Sequence, residues 1–232
     1  DLHSLRRRQR EMCIRDSDSM IKQNFNDVHH LFIAGNPDLP TVVLLHGTGG
    51  DENDLVPIAK YLLPNHPILA IRGRVLENGY HRFFERYAEG EFNLVSLGEQ
   101  TAWLVKSVSE LLTKYDLNTS PSLAVGFSNG ANIALHALLT HPETSFKNVI
   151  ALHAMQLTPI TEPAHLQGSH VFLSHGNFDS IVPRDSFDAL VDNLTQAKAL
   201  VTVFRLNQSH VISSEELQAA KIWLQANDID EA

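Results

Sequence analysis

At 232 residues, 43% hydrophobic and 19% charged, the chain has the make-up of a globular protein with room for one sizeable core and little more. Its formal net charge of −9 repels phosphate backbones and anionic headgroups, which argues against a nucleic-acid partner. No apolar run approaches the roughly 18 residues of a membrane helix, so no integral membrane segment is expected.

Residues 1–19 stand apart from the rest of the chain. Leu5 to Ser17 (LRRRQREMCIRDS) has neither an apolar period nor a secretory h-region. Arg6 to Arg10 could serve as a nuclear-localisation or polybasic patch, but the stretch resembles translated sequencing-adapter sequence. Residues 1–19 are therefore read as a non-native or disordered leader, Met20 as the start, and 20–232 as one α/β domain. Deleting residues 1–19 should leave activity and Tm unchanged, because nothing there can bury a face. A drop of several degrees in a melting curve would show that the leader packs on the domain. The only cysteine, Cys13, lies in this stretch. Disulfides, thiolate metal sites and a cysteine nucleophile are thus excluded from the body, and a reducing, cytoplasmic setting fits.

From Val28 onward, strands and helices alternate. Val28 to Ile33 and Thr41 to His46 read as strands, Asn53 to Leu63 as a helix, and Pro67 to Ile71 as a third strand. A long polar and aromatic stretch, Arg72 to Phe92, comes next. Leu97 to Leu117 is a helix with Leu104, Val108, Leu111, Leu112 and Tyr115 on one face. Then come strand Ser122 to Phe127, helix Asn129 to Leu139, and strands Lys147 to Leu152 and His170 to His175. Helix Pro183 to Ala197, strand Leu200 to Leu206 and helix Ser213 to Ala226 complete the chain. Parallel strands need crossovers, and crossover helices cover both sheet faces. The pattern implies a doubly wound, mostly parallel sheet with helices on both faces, and any chemistry belongs in the loops after the strands.

Gly126-Phe127-Ser128-Asn129-Gly130 matches G-x-S-x-G, a strained turn between strand and helix that exposes a nucleophilic serine. The helix opening behind it directs free N–H groups at the site, making the Asn129 N–H one arm of an oxyanion hole. His46-Gly47-Thr48-Gly49-Gly50 follows an earlier strand and offers the Thr48 N–H as the second arm. His46 is read as a structural histidine beneath that loop. A serine hydroxyl needs a base and the base an orienting carboxylate, in the chain order Ser, Asp or Glu, His. Asp179 and His210 meet that order, each on the loop after a strand, whereas Asp185, Asp188 and Asp192 are read as solvent-facing on a helix. The thirteen histidines do not suggest a metal: His29 and His30 point to opposite strand faces, and His136 and His141 are off a common helical face.

These residues resemble the carboxylesterase/phospholipase branch of the α/β-hydrolases, and within it small bacterial hydrolases related to hydroquinone-resistance esterases. The resemblance covers about Val28 to Leu224. It rests on LLHGTGGDENDL (44–55), IRGRVLENGYHRFFER (71–86), VGFSNGANIA (125–134), HGNFDSIVP (175–183) and the Ser209-His210 pair before the last helix. It implies an α/β-hydrolase fold and a triad of Ser128, Asp179 and His210, with oxyanion donors at Thr48 and Asn129. The chain departs from the family at Ser209, usually Gly, and at Ser180, usually Pro; neither change removes a reacting group.

The expected activity is cleavage of small carboxylic esters, with no cofactor. Thioesterase, lysophospholipase and lactone hydrolysis stand as alternatives, as does a catalytically silent domain that only binds a small molecule. Monomer and homodimer are not distinguished. Two readings remain for the Arg72 to Arg86 block. Arg72, Glu77, Arg82 and Arg86 form an ion-pair network bracing the loop, or Arg82 or Arg86 meets an anionic substrate group while Phe83 and Phe84 line a pocket.

Overall fold

A computed structural model describes residues 20–117 and 122–230. The leader 1–19, with Arg6 to Arg10 and Cys13, lies outside the described residues.

The first strands are β1 (Met20–Phe25), β2 (Val28–Ile33) and β3 (Val42–Leu45), followed by helix α1 (Val56–Leu62) and β4 (Ile68–Ile71). Two small hairpins come next: β5 (Val75–Glu77) with β6 (Tyr80–Arg82), and β7 (Arg86–Ala88) with β8 (Glu91–Phe92). The remainder is α2 (Leu94–Lys114), β9 (Ser122–Phe127), α3 (Asn129–Thr140), β10 (Phe146–Leu152), β11 (His170–Gly176), α4 (Arg184–Gln196), β12 (Leu200–Leu206) and α5 (Ser214–Ala226).

Among the described residues the main sheet has eight strands in the order β1-β2-β4-β3-β9-β10-β11-β12. From β4 to β12 every pairing is parallel, while β2 runs antiparallel to both β1 and β4. The fold is thus the mostly parallel, doubly wound sheet of an α/β-hydrolase. Its interior strands alternate between two cores, as period-2 side chains must. Val43, Leu45, Ala124, Val149 and Leu173 face the core under α2, α3 and α4. Val42, Leu44, Leu123, Val125, Ile150 and Phe172 face the one under α1 and α5.

The chain differs from the sequence expectation at its first strand and in the segment 72–92. β1 (MIKQNF) is mostly exposed and, among the described residues, pairs only with β2, so it carries no burial pattern to read. The polar and aromatic stretch is two hairpins of two- and three-residue strands, too short for periodicity to register. No helix among the described residues is long and apolar enough to cross a membrane.

Two caps fix helix starts that matter for the site. Asn93 Oδ1 accepts from Val95 N and Ser96 N at the head of α2. At the head of α5, Ser213 and Glu216 form a reciprocal capping box, which draws the Glu216 side chain into the interior.

Candidate active site

Parallel strands of one sheet deliver their C-terminal ends to one edge, and the predicted site residues gather there. Thr48 follows β3, Ser128 directly follows β9, Asp179 follows β11 and His210 follows β12.

Ser128 has φ 51° and ψ −112°, a left-handed conformation costing roughly 1–3 kcal/mol for a residue with a side chain. Its neighbours explain the glycines of the motif. A Cβ at Gly126 would sit 2.6 Å from the Ala131 backbone, and one at Gly130 would sit 2.0 Å from Leu45 O. Helix α3 therefore crosses β3 and β9 at a distance only glycine allows, and the turn that results presents the serine hydroxyl outward.

The hydroxyl meets a chain of hydrogen bonds. Ser128 Oγ lies 2.9 Å from His210 Nε2, and His210 Nδ1 lies 2.7 Å from Asp179 Oδ2. A carboxylate can only accept, so the imidazole carries its proton on Nδ1 and offers a lone pair to the hydroxyl. Asp179 Oδ1 accepts from Ile181 N at 2.9 Å and Val182 N at 3.0 Å. Burial alone would raise the Asp179 carboxyl, but hydrogen bonds from His153, the Val182 N–H, His210 and the Ile181 N–H outweigh it. They hold the group below the usual carboxylate range.

The second donor on Oδ2 is one that sequence reasoning misses. His153 Nδ1 lies 2.8 Å from the same oxygen that meets His210. His153 directly follows β10, so the signal that marks Ser128, Asp179 and His210, a polar residue just beyond a strand, is present for it too. His153, Asp179 and His210 bring ligand-type atoms within 4.8 Å of one another. Both Nδ1 atoms point at Oδ2 at hydrogen-bond distance, however, so each uses its proton there rather than offering a lone pair to an ion.

A cavity of about 290 Å³ opens over Ser128 and His210. Thr48 and Asn129 line it, each held by a side-chain hydrogen bond: Thr48 Oγ1 accepts from Arg82 Nη1 at 2.8 Å, and Asn129 Oδ1 accepts from Phe83 N at 2.7 Å. His46 is buried beneath the loop, its Nδ1 donating to Gly47 O at 2.6 Å and its Nε2 accepting from Gly73 N at 2.9 Å. Burial keeps it neutral, lowering it from the usual histidine range.

The Arg72 to Arg86 block divides differently from either reading. Arg82 and Arg86 both line the cavity and both pair with Glu77, at 3.2 and 2.8 Å. Arg72 is outside that cluster and forms its own pair with Glu52 at 2.6 Å. Phe83 and Phe84 do not line the cavity, which corrects the pocket assignment. Both are fully buried in the core, because the chain bends after β6 and turns two successive side chains inward. The aromatic walls are Phe92 and Phe127 instead. Asp185 and Asp192 are exposed on α4, and Asp188 pairs with Arg205 of β12.

Comparison with known proteins gives a consistent picture. Residues 100–228 match the model of the phospholipase/carboxylesterase family. The chain is 34% identical to the Bacillus subtilis (strain 168) protein MhqD, a hydrolase by name, over 194 residues that make up 84% of this chain and 96% of MhqD. It is similar in structure to a carboxylesterase of Bacillus cereus, with a TM-score of 0.85 and 34% identity over 87% of this chain and 95% of that one. A structure of YahD with malic acid gives a TM-score of 0.82 and 40% identity, over 86% of this chain and 99% of that one.

Proposed function

The chain belongs to the phospholipase/carboxylesterase family of α/β-hydrolases, and we propose that within it this protein is a serine esterase acting on small carboxylic esters. The observation that carries the reading is the unbroken chain from Ser128 Oγ through His210 to Asp179 at the floor of the cavity.

The chemistry runs in two balanced steps. Ser128 Oγ attacks the ester carbonyl carbon as its proton passes to His210 Nε2, and the carbonyl oxygen becomes an oxyanion between the Thr48 and Asn129 N–H groups. The C–O bond to the alcohol then breaks, and the alcohol leaves with the proton from His210. In the second step water gives a proton to His210, attacks the acyl-enzyme and releases the acid, and Ser128 regains its proton. Ester and water account for every atom. A silent, binding-only domain would have no use for a serine held in a strained turn against an imidazole. A reducing, cytoplasmic setting belongs to the same proposal and rests on the single cysteine.

A fluorophosphonate probe tests the reading. Wild-type protein should be labelled at Ser128, seen by peptide mass spectrometry, and p-nitrophenyl esters should show which acyl length the cavity accepts. An unlabelled Ser128 in folded protein would return the binding-only alternative.

The cavity also suggests what the substrate carries. Arg82 and Arg86 share one carboxylate, Glu77, leaving an excess positive charge on a wall where, among the described lining residues, Glu89 alone opposes it. That excess favours esters with a second, ionised carboxyl group, and the similar YahD has been seen with malic acid, a dicarboxylic acid. Arg86→Ala should raise KM for a monoester of a dicarboxylic acid by roughly tenfold, about the value of one charge-assisted hydrogen bond. KM for a neutral ester of the same size should stay within about twofold on the same basis. Equal effects on both esters would show that Arg86 only braces the hairpins.

A further inference from the structure

The Asp179 carboxylate has a partner that the two-step scheme does not use. His153 is fully buried and lies on Oδ2, the oxygen that also meets His210; the two rings are 5.1 Å apart and edge to face. Its backbone has φ 54°, in the left-handed region that glycine occupies at no steric cost.

The other face of the ring meets a second buried carboxylate. Glu216 Oε2 accepts from Ser213 N in the capping box at 3.2 Å. Its Oε1 accepts no hydrogen bond among the described residues and faces His153 Nε2 at 3.4 Å. A carboxylate oxygen so enclosed keeps its charge only with a cation beside it. Gln208 Nε2 also lies 3.2 Å from His153 Nε2, but its two protons have acceptors in Val211 O at 2.7 Å and Glu216 Oε2 at 3.4 Å. Among the described residues, the charged or titratable groups facing His153 are therefore Asp179, Glu216 and His210.

Resting on the triad reading above, we propose that His153 is a positioning residue: a buried imidazolium that fixes Asp179 against His210, with Glu216 as its counter-charge. Its Nδ1–H and the two backbone N–H groups on Oδ1 pin the carboxylate in place before any substrate arrives. Burial alone would make the ring neutral, but Glu216 and Asp179 together raise it above the usual histidine range. The charge has a kinetic consequence. A cation 5.1 Å away opposes a second proton arriving at His210, and so extends activity toward lower pH.

Two measurements test this. In ¹⁵N-labelled Ser128→Ala protein, which keeps the cluster intact, the ring nitrogens of His153 should both report attached protons between about pH 6 and pH 8, where a free histidine loses one. A neutral His153 with bare Nε2 and the proton on Glu216 would overturn the proposal. The double variant His153→Gln with Glu216→Gln removes both charges and so leaves no unpaired buried ion. In it the acid limb of kcat/KM should move to higher pH by about one unit. A lower plateau with an unmoved limb would mean that the ring merely fills space, and would also overturn the proposal. Should the double variant fail to fold, the ring protonation alone decides. Failure of the esterase reading is distinguishable from either result, since it appears as an unlabelled Ser128 and leaves the state of His153 unaffected.

Discussion

Ser128→Ala should lower kcat for ester hydrolysis by roughly 10⁶-fold, as loss of the nucleophile does in serine hydrolases whose triads act as a unit. The protein should stay folded. Alanine occupies the same φ of 51° with no more steric conflict than serine, and the interactions that set the turn are backbone ones. Ser128 N donates to Leu152 O and Ser128 O accepts from Asn132 N, each at 2.9 Å, and neither involves the hydroxyl. Tm should therefore move by no more than a few degrees, on the scale of about 1 kcal/mol. Steady-state assay with a p-nitrophenyl ester, alongside a melting curve, checks both halves. Residual activity above a hundredth of wild type would mean that another serine is the nucleophile.

Asp179→Asn should lower kcat by roughly 10⁴-fold while Ser128 stays in place, the loss expected when an amide no longer enforces the productive tautomer of the base. In this protein the change has a second cost. Each carboxylate oxygen accepts two donors: Ile181 N and Val182 N on Oδ1, His153 Nδ1 and His210 Nδ1 on Oδ2. Whichever way the amide turns, its NH₂ faces two donors. The variant should therefore lose on the order of 2–4 kcal/mol of stability as well, measurable by urea titration. Activity of the Asp179→Asn variant close to that of wild type would place the acid elsewhere, with Asp185 the next candidate by chain order, although it is exposed on α4.

The parts of the fold legible in the sequence are those where burial imposes a pattern. Strands β3, β4, β9, β10 and β11 are aliphatic because both faces are covered, and α2 shows its stripe because one face is. Hydropathy has no direction, so it could not show that β2 runs antiparallel, and β1 is too exposed to leave any trace. The candidate triad was legible because each member lies just past a strand and the order of the three is fixed by the fold. His153 met the same positional test but has no short motif around it. Its partners, Asp179 and Glu216, are remote in sequence and meet it only once β10, β11 and α5 are in place. Phe83 and Phe84 misled for a local reason: adjacent aromatics on a regular strand would diverge, whereas the bend after β6 sends both inward.

The hairpin segment between β4 and α2 does more than roof the cavity. Gly49 N donates to His81 O, Phe83 N donates to Asn129 Oδ1, Arg82 donates to Thr48 Oγ1, and Gly73 N donates to His46 Nε2. The residues proposed to choose the ester are thus stapled to the two loops proposed to stabilise its oxyanion. Selectivity and turnover are mechanically linked in such a scaffold. Grafting a foreign rim onto this enzyme to change its substrate would disturb the donors along with the walls, and would sacrifice rate unless these four anchor points were carried across unchanged.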